Sequence, residues 1–364
     1  MERTRAADGG AGSEATAGWP WPDAAPLFAS GTDALAALLR WGAARHGWSR
    51  VWLPSYYCPD VPAALRAHVP GIDLHAYADH DLWAPPGPAS ATLAPGDVVT
   101  LANQLGVRRR PGIGGIRGAG AVVVEDHSHD LGSDWAHTSD ADYAFASLRK
   151  TLPIPDGGVV WSPRGVELPA EPVTATGGAG AEALATAIRA RQRLAGSATS
   201  GRLPFRALAR IAAAGSVGAG PAAATWPPGS PQRHGISPVS RALLPGMPLQ
   251  AWRARRRANI ELLADAIATP SQARLLAAPE GGVAFALTLV FDTSEARAEA
   301  QRALAARAVV PTVLWPLHPS RDLGAGQADA DLSGRILSVH ADQRFGEADM
   351  HELAAILRDA LREA

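Results

Sequence analysis

Residues 121–161 read AVVVEDHSHDLGSDWAHTSDADYAFASLRKTLPIPDGGVVW. The apolar run Ala121–Val124 has the composition of a strand buried on both faces, as strands of a parallel sheet are, and it delivers Glu125 and Asp126 to its C-terminal end. A second short strand, Tyr143–Ala146, runs into Ser147-Leu148-Arg149-Lys150, and a third, Val159–Trp161, follows the Gly157-Gly158 turn. In open α/β sheets ligands bind at the carboxyl ends of the strands. Here two such ends carry an acid, a hydroxyl and an amine.

That amine is singular. The chain holds 34 basic side chains, and Lys150 is the only lysine among them. Arginine replaces lysine wherever positive charge is all that is needed, but its guanidinium keeps its proton and cannot become a neutral amine nucleophile. A lone lysine beside strand-end acids is therefore read as wanted for its amine, against the alternative of a chance survivor in an arginine-biased chain. Acid, hydroxyl and lysine in this layout suit pyridoxal 5'-phosphate (PLP), with Lys150 forming the Schiff base and Asp126 pairing with the pyridinium nitrogen.

Glu125-Asp126-His127-Ser128-His129-Asp130-Leu131-Gly132, then Ser147-Leu148-Arg149-Lys150 and Gly157-Gly158, resemble the DegT/StrS family of PLP-dependent aminotransferases. The resemblance implies fold type I of the aspartate aminotransferase superfamily: an α/β chain with a three-layer αβα large domain on a mostly parallel sheet and a smaller C-terminal α+β domain. It covers roughly residues 26–360. It implies that Asp126 holds the ring nitrogen, Ser128 packs beneath the ring, and His129 lies near the cofactor. His127 departs from the family, which has a small residue there.

Working outward, Ser30-Gly31-Thr32-Asp33 opens a helix, with Ser30 as N-cap and Asp33 three positions on in a capping-box arrangement. Its first amides form an anion site, and the resemblance implies that Gly31, Thr32 and Asp33, with Ser147, hold the cofactor phosphate. Val51–Leu53 reads as a strand, followed by a loop and a helix over 61–68. The resemblance implies an aromatic over the pyridine ring, with Tyr57 preferred and Cys58 its neighbour as the other candidate. Ile72–Tyr77 and Val98–Ala102 are further strands, and Asn103 after the second is either a cofactor contact or an Asx-turn. GIGGIRGAG at 112–120 precedes a strand instead of following one, so it is not a dinucleotide loop.

The chain is expected to comprise a disordered tail over 1–18, a PLP-binding domain over 19–245 and a small domain over 246–364. Helices are expected over 181–194 and 204–214, and Ser237 falls where the family reaches across a dimer interface to the partner's phosphate. The small domain reads as a long helix Leu249–Ile267, strand-like 282–291, a helix 294–307, strands 309–314 and 335–339, and a final helix 347–362. Trp315, His318 and Arg344 are candidate pocket residues.

Net charge of -1 gives no case for nucleic acid or an anionic membrane as partner. One cysteine, Cys58, excludes an intrachain disulfide and fits a reducing compartment. The first 18 residues have no signal-peptide pattern and no stretch suits a membrane span, so a cytoplasmic location is expected. No second His or Cys cluster completes a metal shell around His127 and His129, and no metal is expected.

The function expected is transfer of an amino group from an amino-acid donor to a carbonyl small molecule, such as a keto-sugar or a secondary-metabolite intermediate, and the resemblance implies a homodimer. Two other readings stay open. One is a PLP-dependent lyase, cyclase or racemase, and the other a non-catalytic subunit of the same fold. Branches of the family that deoxygenate sugars lack the lysine, so Lys150 speaks against that branch.

Overall fold

The computed structural model describes residues 18–172, 174–175, 234–267, 272–319 and 322–363. The expected helices over 181–194 and 204–214, and nearly all of the expected N-terminal tail, lie outside the described residues.

The main sheet has seven strands: β1 (Leu27–Phe28), β2 (Arg50–Pro54), β3 (Asp73–Tyr77), β4 (Val98–Ala102), β5 (Val122–Asp126), β6 (Tyr143–Ser147) and β7 (Gly158–Trp161). Their spatial order is β1-β7-β6-β5-β4-β2-β3. From β6 to β3 every pairing is parallel, while β7 runs antiparallel to both β6 and β1. Both faces of the sheet are covered. Val98, Ala102 and Val124 join a core with Leu35, Leu38 and Leu39 of α1 (Gly31–His46), while Val99, Leu101 and Val123 pack on the opposite face with Ile113 and Ile116. Alternate residues of one strand thus enter different cores. That is why β4 and β5 read as unbroken apolar runs.

The connections between strands are helical: α2 (Asp60–His68) after β2, the short α3 (Gly114–Gly118) before β5, and α4 (Asp134–Thr138) between β5 and β6. The 112–120 glycine stretch accordingly forms α3, which packs against β5. A two-stranded pair, β8 (Thr174–Ala175) and β9 (His234–Gly235), precedes α5 (Pro238–Leu243).

The later part of the chain builds a separate antiparallel sheet, β10 (Ala273–Leu276), β11 (Leu287–Phe291) and β12 (Ile336–Val339), in that spatial order. It shares a core with α6 (Leu249–Ala266), α7 (Ser294–Ala306) and α9 (Glu347–Glu363). The helix α8 (Gln327–Arg335) leads into β12. The expected strand over 309–314 is reduced to a single bridge, Thr312 to Ser338. Pro311 and Pro316 bracket it, and proline lacks the N–H that a ladder needs. No described helix is long and apolar enough to cross a membrane.

Candidate active site

Because β4, β5 and β6 are parallel and in register, their carboxyl ends meet. Ala102 pairs with Asp126, and Asp126 with Phe145. The chain after β5 then folds back on itself. Asp126 Oδ1 accepts the amide of Ser128 at 2.8 Å, and Ser128 Oγ accepts the amide of Ser147 at 2.9 Å. One serine thereby ties the end of β5 to the end of β6.

The start of α1 closes against the same edge. Ser30 is the N-cap, and its Oγ accepts the Asp33 amide at 3.1 Å. A Cβ on Gly31 would stand 2.8 Å from Ser147 Cβ, and one on Gly158 would stand 2.0 Å from the Ser30 carbonyl oxygen. Glycine at these two positions is what lets the helix start, β6 and β7 approach so closely. The capping bond engages the Asp33 amide and leaves those of Gly31 and Thr32 for an anion. The buried Asp33 carboxyl is itself raised to about 7, chiefly by desolvation, with the Ser30 hydroxyl opposing.

Lys150 follows β6 in a short 3-10 turn, Leu148–Lys150. Its Nζ lies 3.2 Å from His129 Nε2. His129 Nδ1 accepts the Leu105 amide at 3.1 Å, which puts the ring proton on Nε2, pointing at the amine. Burial lowers the His129 pKa well below the usual imidazole value, helped by the charges of Lys150 and Arg256. Burial likewise lowers the Lys150 pKa, with Arg149 adding to it and Asp126 and Cys58 opposing. A neutral amine can accept the Nε2–H bond; an ammonium would meet it donor to donor. Burial and the facing Nε2–H thus both ease loss of the amine's proton.

Aromatic rings wall this space. His129 stacks on Phe285 at 4.5 Å and on Trp315 at 5.6 Å between centroids, and the Lys150 amine lies 6.0 Å from the Trp315 ring. Phe285 is held by its amide, which donates to the Leu105 carbonyl at 2.7 Å. A Cβ at Gly106, whose φ is +69°, would stand 2.2 Å from the Val283 carbonyl oxygen, so only glycine permits this approach.

Tyr57 is buried, and its hydroxyl donates to Asp126 Oδ2 at 2.5 Å. Cys58 is half-buried, its thiol pKa pushed up by burial. Asn103 makes no Asx-turn: its Nδ2 donates to Asp130 Oδ2 at 2.8 Å and its Oδ1 accepts the Arg108 amide at 2.8 Å. Both ends of the amide are thus engaged behind the site. His127 is engaged at both ring nitrogens. It is buried with Nε2 3.0 Å from Glu125 and Nδ1 3.0 Å from Asp130, and these carboxylates raise its pKa to about 10 against the cost of burial. Among the described residues no group of three or more His, Cys, Asp or Glu could hold a metal ion.

The remaining candidates make other contacts within this chain. Ser237 caps α5 and donates to Asp156 of its own chain at 2.6 Å. Arg344 is paired with Asp342, its Nε 2.7 Å from Oδ1, and His318 is exposed. Phe285 was not signalled by sequence, since it sits in an apolar stretch that reads as plain strand.

Solved structures share this architecture. The chain is similar to DesV of S. venezuelae, solved in complex with a ketimine intermediate (TM-score 0.61, 16% identity, 94% of this chain and 86% of that one). It is similar to the aminotransferase TlmJ from Streptoalloteichus hindustanus (TM-score 0.58, 16% identity, 93% and 86%) and to a DegT DnrJ EryC1 StrS aminotransferase from Brucella abortus (TM-score 0.55, 14% identity, 92% and 85%). The chain has the fold of the DegT/StrS-type aminotransferases. No protein-family model matches the sequence, and no curated protein matches it. In that DegT/StrS-type fold the Asp126, Ser147 and Lys150 ends lie together at one edge of the parallel sheet.

Proposed function

We propose that this protein is a PLP-dependent aminotransferase, moving an amino group from an amino-acid donor to a small carbonyl compound. The observation that carries the reading is the Lys150 amine, desolvated and met by the Nε2–H of a neutral His129, on the strand edge that also presents Asp126.

The residues present fit the cofactor. The free amides of Gly31 and Thr32 and the Ser147 hydroxyl suit a phosphate, in a cradle so narrow that a Cβ on Gly31 would collide with Ser147. Asp126 keeps lone pairs for a pyridinium proton beyond the bonds from Ser128 and Tyr57, and Tyr57 is placed to hold that carboxylate as well as to cover a ring. When bound, PLP supplies an aldehyde that captures amines covalently and a ring that spreads the electron pair left as a proton departs. The chain supplies the rest. Lys150 takes a proton from the substrate carbon and returns one nearby, a task that needs a pKa tuned downward, as burial and Arg149 tune it. Asp126 holds opposite charge at the ring nitrogen, and Phe285 and Trp315 exclude water from the amine.

Division into a cofactor-binding domain over 19–245 and a small domain over 246–364, a homodimeric state, a cytoplasmic location and a keto-sugar or secondary-metabolite acceptor belong to the same proposal. The similar proteins support the acceptor class: one solved structure of this fold holds its TDP-sugar product, and another is a 3-amino-5-hydroxybenzoic acid synthase. One experiment separates this from lyase, cyclase and racemase chemistry. Purified protein with PLP is mixed with glutamate, glutamine and other donors in turn, and its visible absorbance followed. Loss of the yellow band with release of the matching keto acid supports transamination; products of elimination or racemisation with the band retained would overturn it.

A further inference from the structure

Beside the amine lies a cleft lined in part by His129, Thr151, Arg253, Arg256, Val283 and Gln343. Arg256, on α6, is 5% exposed, and among the described residues no carboxylate lies within ion-pairing distance of it. Its two hydrogen bonds go to neutral oxygens, Gln343 Oε1 at 2.9 Å and the Phe285 carbonyl at 3.4 Å. A guanidinium has five N–H donors, so three remain. A buried charge without a counter-charge is costly.

The nearby acids are spoken for. Asp342 acts on Arg256 only through space, its carboxylate being engaged by Arg344, and Arg253 is paired with Asp134. Asp130 also lines the cleft, but its carboxylate accepts from Asn103, Ser133 and His127. Burial pulls the Arg256 pKa down, as it does for a cation lacking a partner. A second polar atom is also orphaned: Thr151 Oγ1 is buried with no hydrogen-bond partner. Gln343 joins the two, since it accepts from Arg256 and donates to the Thr151 carbonyl at 2.9 Å.

We propose that this cleft is an oxyanion subsite, in which Arg256 and Thr151, braced by Gln343, receive a carboxylate or phosphate carried by the substrate at a distance from its reacting group. A planar guanidinium with spare donors suits either group, and the orphaned hydroxyl adds one more donor. The distance follows from the stacking. Arg256 Cζ lies 5.6 Å from the Phe285 ring, Phe285 stacks on His129, and His129 touches the Lys150 amine. Two rings therefore stand between guanidinium and amine, so the oxyanion belongs several bonds away from the carbon that gains or loses nitrogen. A dicarboxylic amino-acid donor and a phosphorylated carbonyl acceptor both meet that description. Assigning the oxyanion to a substrate rests on the aminotransferase reading, whereas the binding itself does not.

The test is calorimetric titration of the full chain, with glutarate and with inorganic phosphate as separate probes, in the wild type and in Arg256→Gln and Thr151→Val. Circular dichroism confirms that each variant is folded. At least one probe is expected to bind the wild type and to lose about tenfold or more in affinity in Arg256→Gln, as for loss of a charge-assisted bond, and a few-fold in Thr151→Val. Should Arg256→Gln fail to fold, Thr151→Val, which keeps the buried charge, decides. Glutarate binding points to a dicarboxylic substrate and phosphate binding to a phosphorylated one. No binding of either probe to the wild type overturns the proposal. So does binding that both variants leave unchanged, which for phosphate would place it at the Gly31–Thr32 helix start. Because no cofactor is present in these titrations, failure here is distinct from failure of the aminotransferase reading.

Discussion

His127 and His129 stand two residues apart on one loop, both buried, and the protein drives them to opposite states. His127 lies between Glu125 and Asp130, which hold it as an imidazolium with its pKa raised to about 10. His129 lies between Phe285 and Trp315 and faces a lysine, with its pKa pushed well below the usual value. Burial alone would neutralise both. Carboxylates reverse that for one ring, and their absence leaves it in force for the other. The charged ring serves to fix the loop, and the neutral ring serves the amine.

The sharpest way to sharpen the contrast is at the residue between their roles. Asp126 precedes both rings, and Asp126→Asn should keep PLP bound yet lose on the order of 10²–10³-fold in turnover, since one fixed charge at the ring nitrogen would be gone. Steady-state rates with the best donor check this, and full activity would move the role to another residue.

Next is His127→Leu. It leaves Glu125 and Asp130 buried without their counter-charge, so it should cost about 3–5 kcal/mol in stability by denaturant unfolding. The pH dependence has a definite sign. A folded pKa raised from 6.5 to about 10 contributes stability that is complete below about pH 6.5 and lost as pH rises through 10. Wild-type stability should therefore decline across that interval, and the variant's should not.

The smallest effect is expected at His129→Phe. Its depressed folded pKa makes the wild type lose stability as pH falls below 6.5, because the unfolded chain binds a proton that the folded one refuses. The variant should be flatter on the acid side. It also removes the Nε2–H that favours a neutral amine, so the acid limb of the rate profile should move to higher pH. Identical pH profiles would mean that the ring only fills space.

Much of this was legible beforehand because it is local. The apolar runs at 98–102 and 122–124, the Ser30 cap and the lone lysine each carry their meaning within a few residues. Six of the seven strands of the main sheet follow from such runs, whereas the two-residue β1 and the antiparallel setting of β7 do not. What was not legible depends on residues distant in sequence. Phe285 reaches His129 only because Gly106 lets two loops touch, and Arg256 is left without an acid only because Arg344 engages Asp342. His127 likewise looked anomalous by type, and its two carboxylates, one before and one after it, become partners only once the loop turns back. Tyr57 was expected over a ring, and the bond of its hydroxyl to Asp126 links positions 69 residues apart.

The central proposal is that Lys150 is the amine that captures the aldehyde of PLP. Its most direct test is to mix the protein with PLP, record the visible band, reduce with borohydride, and locate the retained mass by peptide sequencing. The account requires a yellow band and a phosphopyridoxyl group fixed on Lys150, both lost in Lys150→Ala while that variant keeps its fold. No band, or a label carried elsewhere in the chain, would contradict it.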